Sequence, residues 1–149
     1  MTEYFAHIFN YLNYGILLWG NHTASQKISV LQKRFVRIIC GASPRSHCKP
    51  LFIQLGLITL PSMLVLTCLL HVRKNISCFT ICSQIHEYTT RNNSNIYINR
   101  CKYTATQKSF EFISIQLYNS IPIDIKKCPL LAYREGHYSI DSSSFLQCK

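Results

Sequence analysis

Apolar residues recur at three- and four-residue spacing from the start of the chain: Phe5, Ile8, Phe9, Leu12, Ile16 and Trp19 share one side of a helix. The pattern predicts that helix over residues 3–19, with Gly20 as its stop. After the polar Thr23 and Ser25 comes the clearest amphipathic stretch, in which Ile28, Leu31, Phe35, Ile38 and Ile39 fall on one side and Lys27, Lys33, Arg34 and Arg37 on the other. The apolar side is expected to face the core. Gly41 stands where a helix C-terminal cap belongs, and Ala42-Ser43-Pro44 breaks the pattern before a short apolar piece from Leu51 to Leu55 that Gly56 closes.

The run from Pro50 to Val72 contains no Asp, Glu, Lys or Arg, and a bilayer-spanning helix needs about 20 mainly apolar residues. Length alone therefore permits a span. Gln54, Gly56, Thr59, Pro61, Ser62 and Thr67 punctuate the run, however, and Leu60-Pro61 reads as a helix start, which favours two short buried helices. Thr59 is the expected cap of the second, whose Leu60, Met63, Leu64, Leu66, Leu69, Leu70 and Val72 cover nearly its whole circumference and suit the middle of a core.

Residues 87–105 are polar and without sustained period, which predicts a loop holding one short strand around Ile96–Ile98. Thr106, Phe110, Ile113 and Leu117 then share a face of a further helix that Ile121-Pro122 ends, and past Cys128-Pro129 the pattern fades into a frayed tail. The organisation that follows is a helical core segment over 1–86, a polar loop over 87–105, a C-terminal helix and Pro-terminated turn over 106–127 and an irregular tail over 128–149, one domain overall. The fold class is mostly α, a small helical bundle of about four to five helices.

Composition narrows the chemistry. Of 149 residues, 16 are Lys or Arg and only 6 Asp or Glu, so the formal charge is +10 and anionic partners such as RNA, DNA or a lipid surface are favoured. The six carboxylates (Glu3, Glu87, Glu111, Asp124, Glu135, Asp141) are scattered singly, which argues against most Mg²⁺-dependent phosphoryl transfer and against paired acid/base catalysis. An acid near the start and the lack of a cleavage site after an apolar run speak against a secretory signal. The eight cysteines are then reduced thiols of an intracellular protein, in cytoplasm or nucleus, and the Asn-x-Ser/Thr matches at Asn21, Asn75 and Asn92 are chance.

Three sets of residues carry candidate chemistry. Lys27, Lys33, Arg34 and Arg37, joined by Arg45, Lys49, Arg73 and Lys74 if the helices pack as a bundle, form a phosphate-binding stripe; the plainer reading is a set of solvated helix faces. Tyr88, Arg91, Tyr97, Arg100, Lys102 and Tyr103 interleave aromatic with basic residues, a composition suited to stacking on unpaired bases. Cys78, Cys82 and His86, with Cys101 as a fourth, have ligand types acceptable to zinc, but no Cys-x-x-Cys knuckle is present and buried thiols are the better reading. A Cys-His nucleophile lacks an orienting acid and an oxyanion motif, and Trp19 reads as core.

Several strings in order carry more than periodicity: Tyr14-Gly-Ile-Leu-Leu-Trp-Gly-Asn21, Leu31-Gln-Lys-Arg-Phe-Val-Arg-Ile-Ile-Cys-Gly41, Pro50-Leu-Phe52, Leu60-Pro61 opening an apolar helix, Ile85-His-Glu-Tyr-Thr-Thr-Arg-Asn92 and Leu117-Tyr-Asn-Ser-Ile-Pro-Ile-Asp-Ile-Lys126. Together, over residues 1–127, they resemble the region that follows the polymerase core in reverse transcriptases of arthropod jockey-like non-LTR (LINE-type) retrotransposons. The resemblance implies a segment that helps to grip template RNA or target DNA, with the polymerase core of a full-length element as a further partner. No Tyr-x-Asp-Asp string occurs and the endonuclease residues are missing, so no catalytic residue carries over and no cofactor is expected. After Pro129 the chain departs from the family's basic amphipathic helix, as in a truncated copy. The expected function is thus that of a non-catalytic fragment of an RNA-directed DNA polymerase with sequence-independent RNA or DNA binding, through Lys27, Lys33, Arg34, Arg37, Arg45, Lys49, Arg73, Lys74, Arg91, Arg100 and Lys102. The alternatives are a small membrane protein anchored by residues 50–72 and a decayed coding fragment without function.

Overall fold

The structure, a computed structural model, describes residues 4–85, 88, 91–123 and 126. Among these residues every regular element is helical, and the sole β feature is an isolated antiparallel bridge between Ile81 and Ile96. The expected frayed tail over 128–149 lies outside the described residues. The chain divides into two units, 1–64 and 65–149.

In the first unit the helix predicted over 3–19 is broken. A π-helical stretch, Tyr4–Phe9, runs into α1 (Asn10–Asn13), Tyr14 is extended, and Gly15 at φ 62° starts α2 (Ile16–Trp19). Glycine enters this left-handed conformation without the Cβ clash that other residues meet. The indole of Trp19 donates its Nε1–H to the Tyr14 carbonyl at 2.8 Å across the break, so Trp19 is half-buried with a polar task as well as a packing one. Gly20 ends α2 as expected, and a Cβ on it would lie only 2.7 Å from Leu64 Cδ1.

Next come α3 (Ser25–Ile39) and α4 (Cys48–Gln54), which pack on each other. Gly41 and Gly56 sit at φ 62° just past their ends, where the amides of Ala42 and Leu57 reach back to the carbonyls of Arg37 and Phe52 in Schellman closures. The apolar stripe of α3 does not face inward as its period predicts. Its buried residues are Gln32 and Val36, while Leu31, Phe35 and Ile38 are 48%, 44% and 74% exposed and Ile39 is exposed too. At 100° per residue the buried pair lies about a quarter turn away from the centre of the apolar stripe.

The cause is a buried hydrogen-bond network. Gln32 Nε2 donates to the Tyr4 hydroxyl at 2.8 Å and to the Ile58 carbonyl at 3.0 Å, and its Oε1 accepts from the Leu60 amide at 2.9 Å. Leu60 opens α5 (Leu60–Lys74), whose first amides have no partner inside the helix, so Gln32 supplies one from another element. Leaving a buried amide unpaired costs about 1–3 kcal/mol. Two apolar clusters flank this network: Tyr4, Val36, Cys48, Phe52 and Leu57 in one, Leu12, Ile16, Leu60 and Met63 in the other.

The stretch read as two short helices folds that way, as α4 and α5 with Leu55–Thr59 between them, and no helix among the described residues is long and apolar enough to cross a membrane. Thr59 faces Ser62, their hydroxyls 2.9 Å apart, and Pro61 sits in the first turn as predicted. From Leu60 to Arg73 only Pro61 is exposed, in keeping with the all-round apolar pattern.

The second unit holds the later part of α5, a 3₁₀ turn (Ile76–Cys78), α6 (Cys82–Ile85), α7 (Thr104–Gln107) and α8 (Phe110–Ser120) around a core of Leu69, Val72, Ile96, Tyr118 and Ile121. The helix expected to run through Thr106 is interrupted. Ser109 caps α8 by accepting from the Phe112 amide, Glu111 favours its positive end, and Thr106 is exposed on the separate α7. Ser114 and Tyr118, rather than Ile113 and Leu117, are the buried residues of α8. Edge-to-face contact joins His71 to Phe110, with ring centres 5.4 Å apart.

The short strand expected at Ile96–Ile98 is reduced to the single bridge at Ile96. Its backbone is held from both sides: the Cys82 and Tyr97 amides bond Asn95 and Thr80 carbonyls, and Asn119 contributes Oδ1 to the Ile96 amide at 3.0 Å and Nδ2 to its carbonyl at 2.8 Å. A side-chain amide thus stands in for a neighbouring strand.

Candidate nucleic-acid interface

From residue 4 to residue 86 the sequence has eight Lys and Arg and not one carboxylate. Six of the eight lie in the first unit. On α3, Lys27, Lys33, Arg34 and Arg37 span roughly a third of the helix circumference. Lys27, Lys33 and Arg34 are exposed, as are Arg45 in the turn after the helix and Lys49 in the first turn of α4. Arg37 is different. It is half-buried, and its Nε donates to the Ser46 carbonyl at 3.1 Å, so it fastens the α3–α4 turn and is not a free phosphate ligand. The remaining two, half-buried Arg73 and exposed Lys74, close the last turn of α5 in the second unit, where cations suit the negative helix end.

The polar loop of the second unit is where aromatic and basic side chains meet water together. Tyr88 is 82% and Tyr103 78% exposed, Tyr97 is exposed as well, and Arg91, Arg100 and Lys102 are exposed among them. Ile96 explains how Tyr97 is presented: once the Ile96 side chain enters the core and its backbone is bonded on both edges, Tyr97 must point to the opposite side, outward. A shallow groove alongside is lined by Ser83, Arg91, Asn93 and Ser94 with Ile81 and Ile123. Arg91 there offers a guanidinium fork beside neutral hydrogen-bonding side chains. The groove residues around Arg91 were not legible from the sequence, where Asn92-Asn93-Ser94-Asn95 reads only as turn.

Lys126 is another cation that pattern reading passed over. Its Nζ donates to Asn95 Oδ1 at 3.0 Å and to the Asn119 carbonyl at 3.4 Å, and lies 5.2 Å from the Tyr118 ring centre. Partial burial pulls its ammonium below the usual lysine value. It anchors the base of the loop.

No group of three potential metal ligands gathers among the described residues. Cys78 is exposed, Cys82 and Cys101 are half-buried, and His86 lies outside the described residues; Cys101 Sγ contacts the Asn99 carbonyl. The buried-thiol reading therefore applies to Cys48 and Cys68 rather than to these three. Burial pushes the Cys68 thiol up, opposed by its hydrogen bond with Ser114, and so disfavours the thiolate.

Comparison with family models, with curated proteins and with solved structures gives no match.

Proposed function

We propose that this chain is a non-catalytic, sequence-independent binder of single-stranded nucleic acid, RNA in the first instance. The observation that carries the reading is the exposure of Tyr88, Tyr97 and Tyr103 together with that of Arg91, Arg100 and Lys102 within one stretch of 16 residues. Water satisfies the hydroxyl of an exposed tyrosine but not the apolar face of its ring, whereas every unpaired base offers a face to stack on, with a gain of about 1–3 kcal/mol per base. The cations contact phosphates, and the carboxylate-free stretch from residue 4 to residue 86 adds a long-range attraction for the same polyanion. The resemblance to a post-polymerase segment of LINE-type reverse transcriptases agrees with a gripping role and supplies no catalytic residue.

The test is a titration of fluorescently labelled oligouridylate and of an RNA duplex with the whole chain at two salt concentrations. Oligouridylate should bind more tightly than the duplex, its affinity should fall steeply with salt, and Tyr88→Ala with Tyr103→Ala should weaken it by about tenfold or more. Equal affinity for both forms, unchanged by those substitutions, would overturn the reading.

A further inference from the structure

Nucleic acid does not account for the apolar stripe of α3. Leu31, Phe35 and Ile38 lie on the surface of a helix whose inward side is Gln32 and Val36, and neither phosphate contacts nor base stacking calls for aliphatic side chains such as Leu31 and Ile38. Rotation of α3 by the Gln32 network places this stripe outward beside Lys27 and Arg34, which follow it around the helix within about 60°. We infer that α3 docks flat on an anionic lipid surface, with Leu31, Phe35 and Ile38 entering the boundary between headgroups and acyl chains and Lys27 and Arg34 meeting lipid phosphates.

Charge selects this occupant. A second copy of the chain would bring Lys27 and Arg34 against their own equivalents, with no carboxylate between residues 4 and 86 to relieve them. An anionic bilayer presents the complementary order instead: a layer of negative charge, then hydrocarbon directly beneath it. Long basic side chains extend to the headgroup level while their apolar neighbours sink, the arrangement of interfacial amphipathic helices. At 15 residues α3 lies in the membrane plane and does not span it. This goes beyond nucleic-acid binding and uses a different unit of the chain.

The test uses the whole chain and sedimenting vesicles of phosphatidylcholine alone or mixed with phosphatidylserine. The chain should pellet with the mixed vesicles and stay in solution with the neutral ones. Leu31→Ser with Ile38→Ser should lower the partitioning by about tenfold or more while far-UV circular dichroism is unchanged, because Ile38 is 74% and Leu31 48% exposed and neither belongs to a buried cluster in the free protein. Phe35→Trp adds a direct reporter: relative to the parent, whose one tryptophan is Trp19, the variant's emission should shift to the blue on mixed vesicles. Absence of vesicle binding would overturn the inference. So would binding without that spectral shift, which means charge adsorption alone, and so would an equal loss of oligouridylate affinity in the serine variant, which assigns the stripe to nucleic acid.

Discussion

The side-chain carbonyl of Gln32 accepts the backbone N–H of Leu60 at 2.9 Å, so a residue in the middle of α3 serves as a cap for α5. Because the same amide also donates to Tyr4 and to the Ile58 carbonyl, both of its donors and its acceptor are engaged within the first unit.

Replacing it tests how much of the fold depends on that network. Gln32→Leu keeps the volume and withdraws all three bonds, leaving the buried Leu60 amide without its acceptor. Stability should fall by about 1–3 kcal/mol, read as a lower urea midpoint at unchanged slope. An unchanged midpoint would mean that α3 had turned to bury its apolar stripe instead, and reduced binding of a hydrophobic dye would report that.

The same network shows where sequence reading succeeds and where it stops. The α5 helix was legible because apolar residues cover its whole circumference, so no choice of rotation has to be made. On α3 there is a choice, and the deciding partners, Tyr4, Ile58 and Leu60, stand more than 25 positions away in the sequence. Local period carries no information about them. Breaks at Gly15 and Ser109 were missed for a related reason: apolar spacing continues across both, and only backbone conformation and a serine cap reveal the interruption. On the candidate interface, the residue types of the loop were readable, while Ile96 as its anchor and Arg37 as a structural ligand of Ser46 were not.

In the second unit, Asn119→Ala should free the edge of Ile96. The substitution removes one donor and one acceptor that together bracket a buried residue, with an expected cost of about 1–3 kcal/mol. Amide hydrogen exchange at Ile96 should accelerate by about tenfold or more, and oligouridylate affinity should drop with it because the loop loses its anchor. Exchange as slow as in the parent would show that the bridge to Ile81 suffices.

Alkaline pH should destabilise the chain in a defined direction. Burial pushes both the Tyr4 hydroxyl, opposed by its bond to Gln32, and the Cys68 thiol above their ordinary values. Each acid therefore holds its proton more tightly when folded than when unfolded. Their stabilising contribution is complete below the ordinary values of about 8.5 for a thiol and 10 for tyrosine, and is lost as pH rises past them through the raised folded values. Melting temperature should decline through that window, with a shallower decline above pH of about 10 in Tyr4→Phe. Parallel profiles for the variant and the parent would remove Tyr4 from the account.

The anchoring of Ile96 also bears on how such a loop tolerates change in length. With that residue fixed, the segment from Tyr97 to Tyr103 is a separate short closure between Ile96 and α7, and the entropy of closing it grows only slowly with added residues. Extra residues placed there lengthen one arm, shift the reach of Arg100, Lys102 and Tyr103, and leave the groove around Arg91 where it is. Spacing between stacking sites is in this way adjustable by insertion alone, without repacking a single buried side chain.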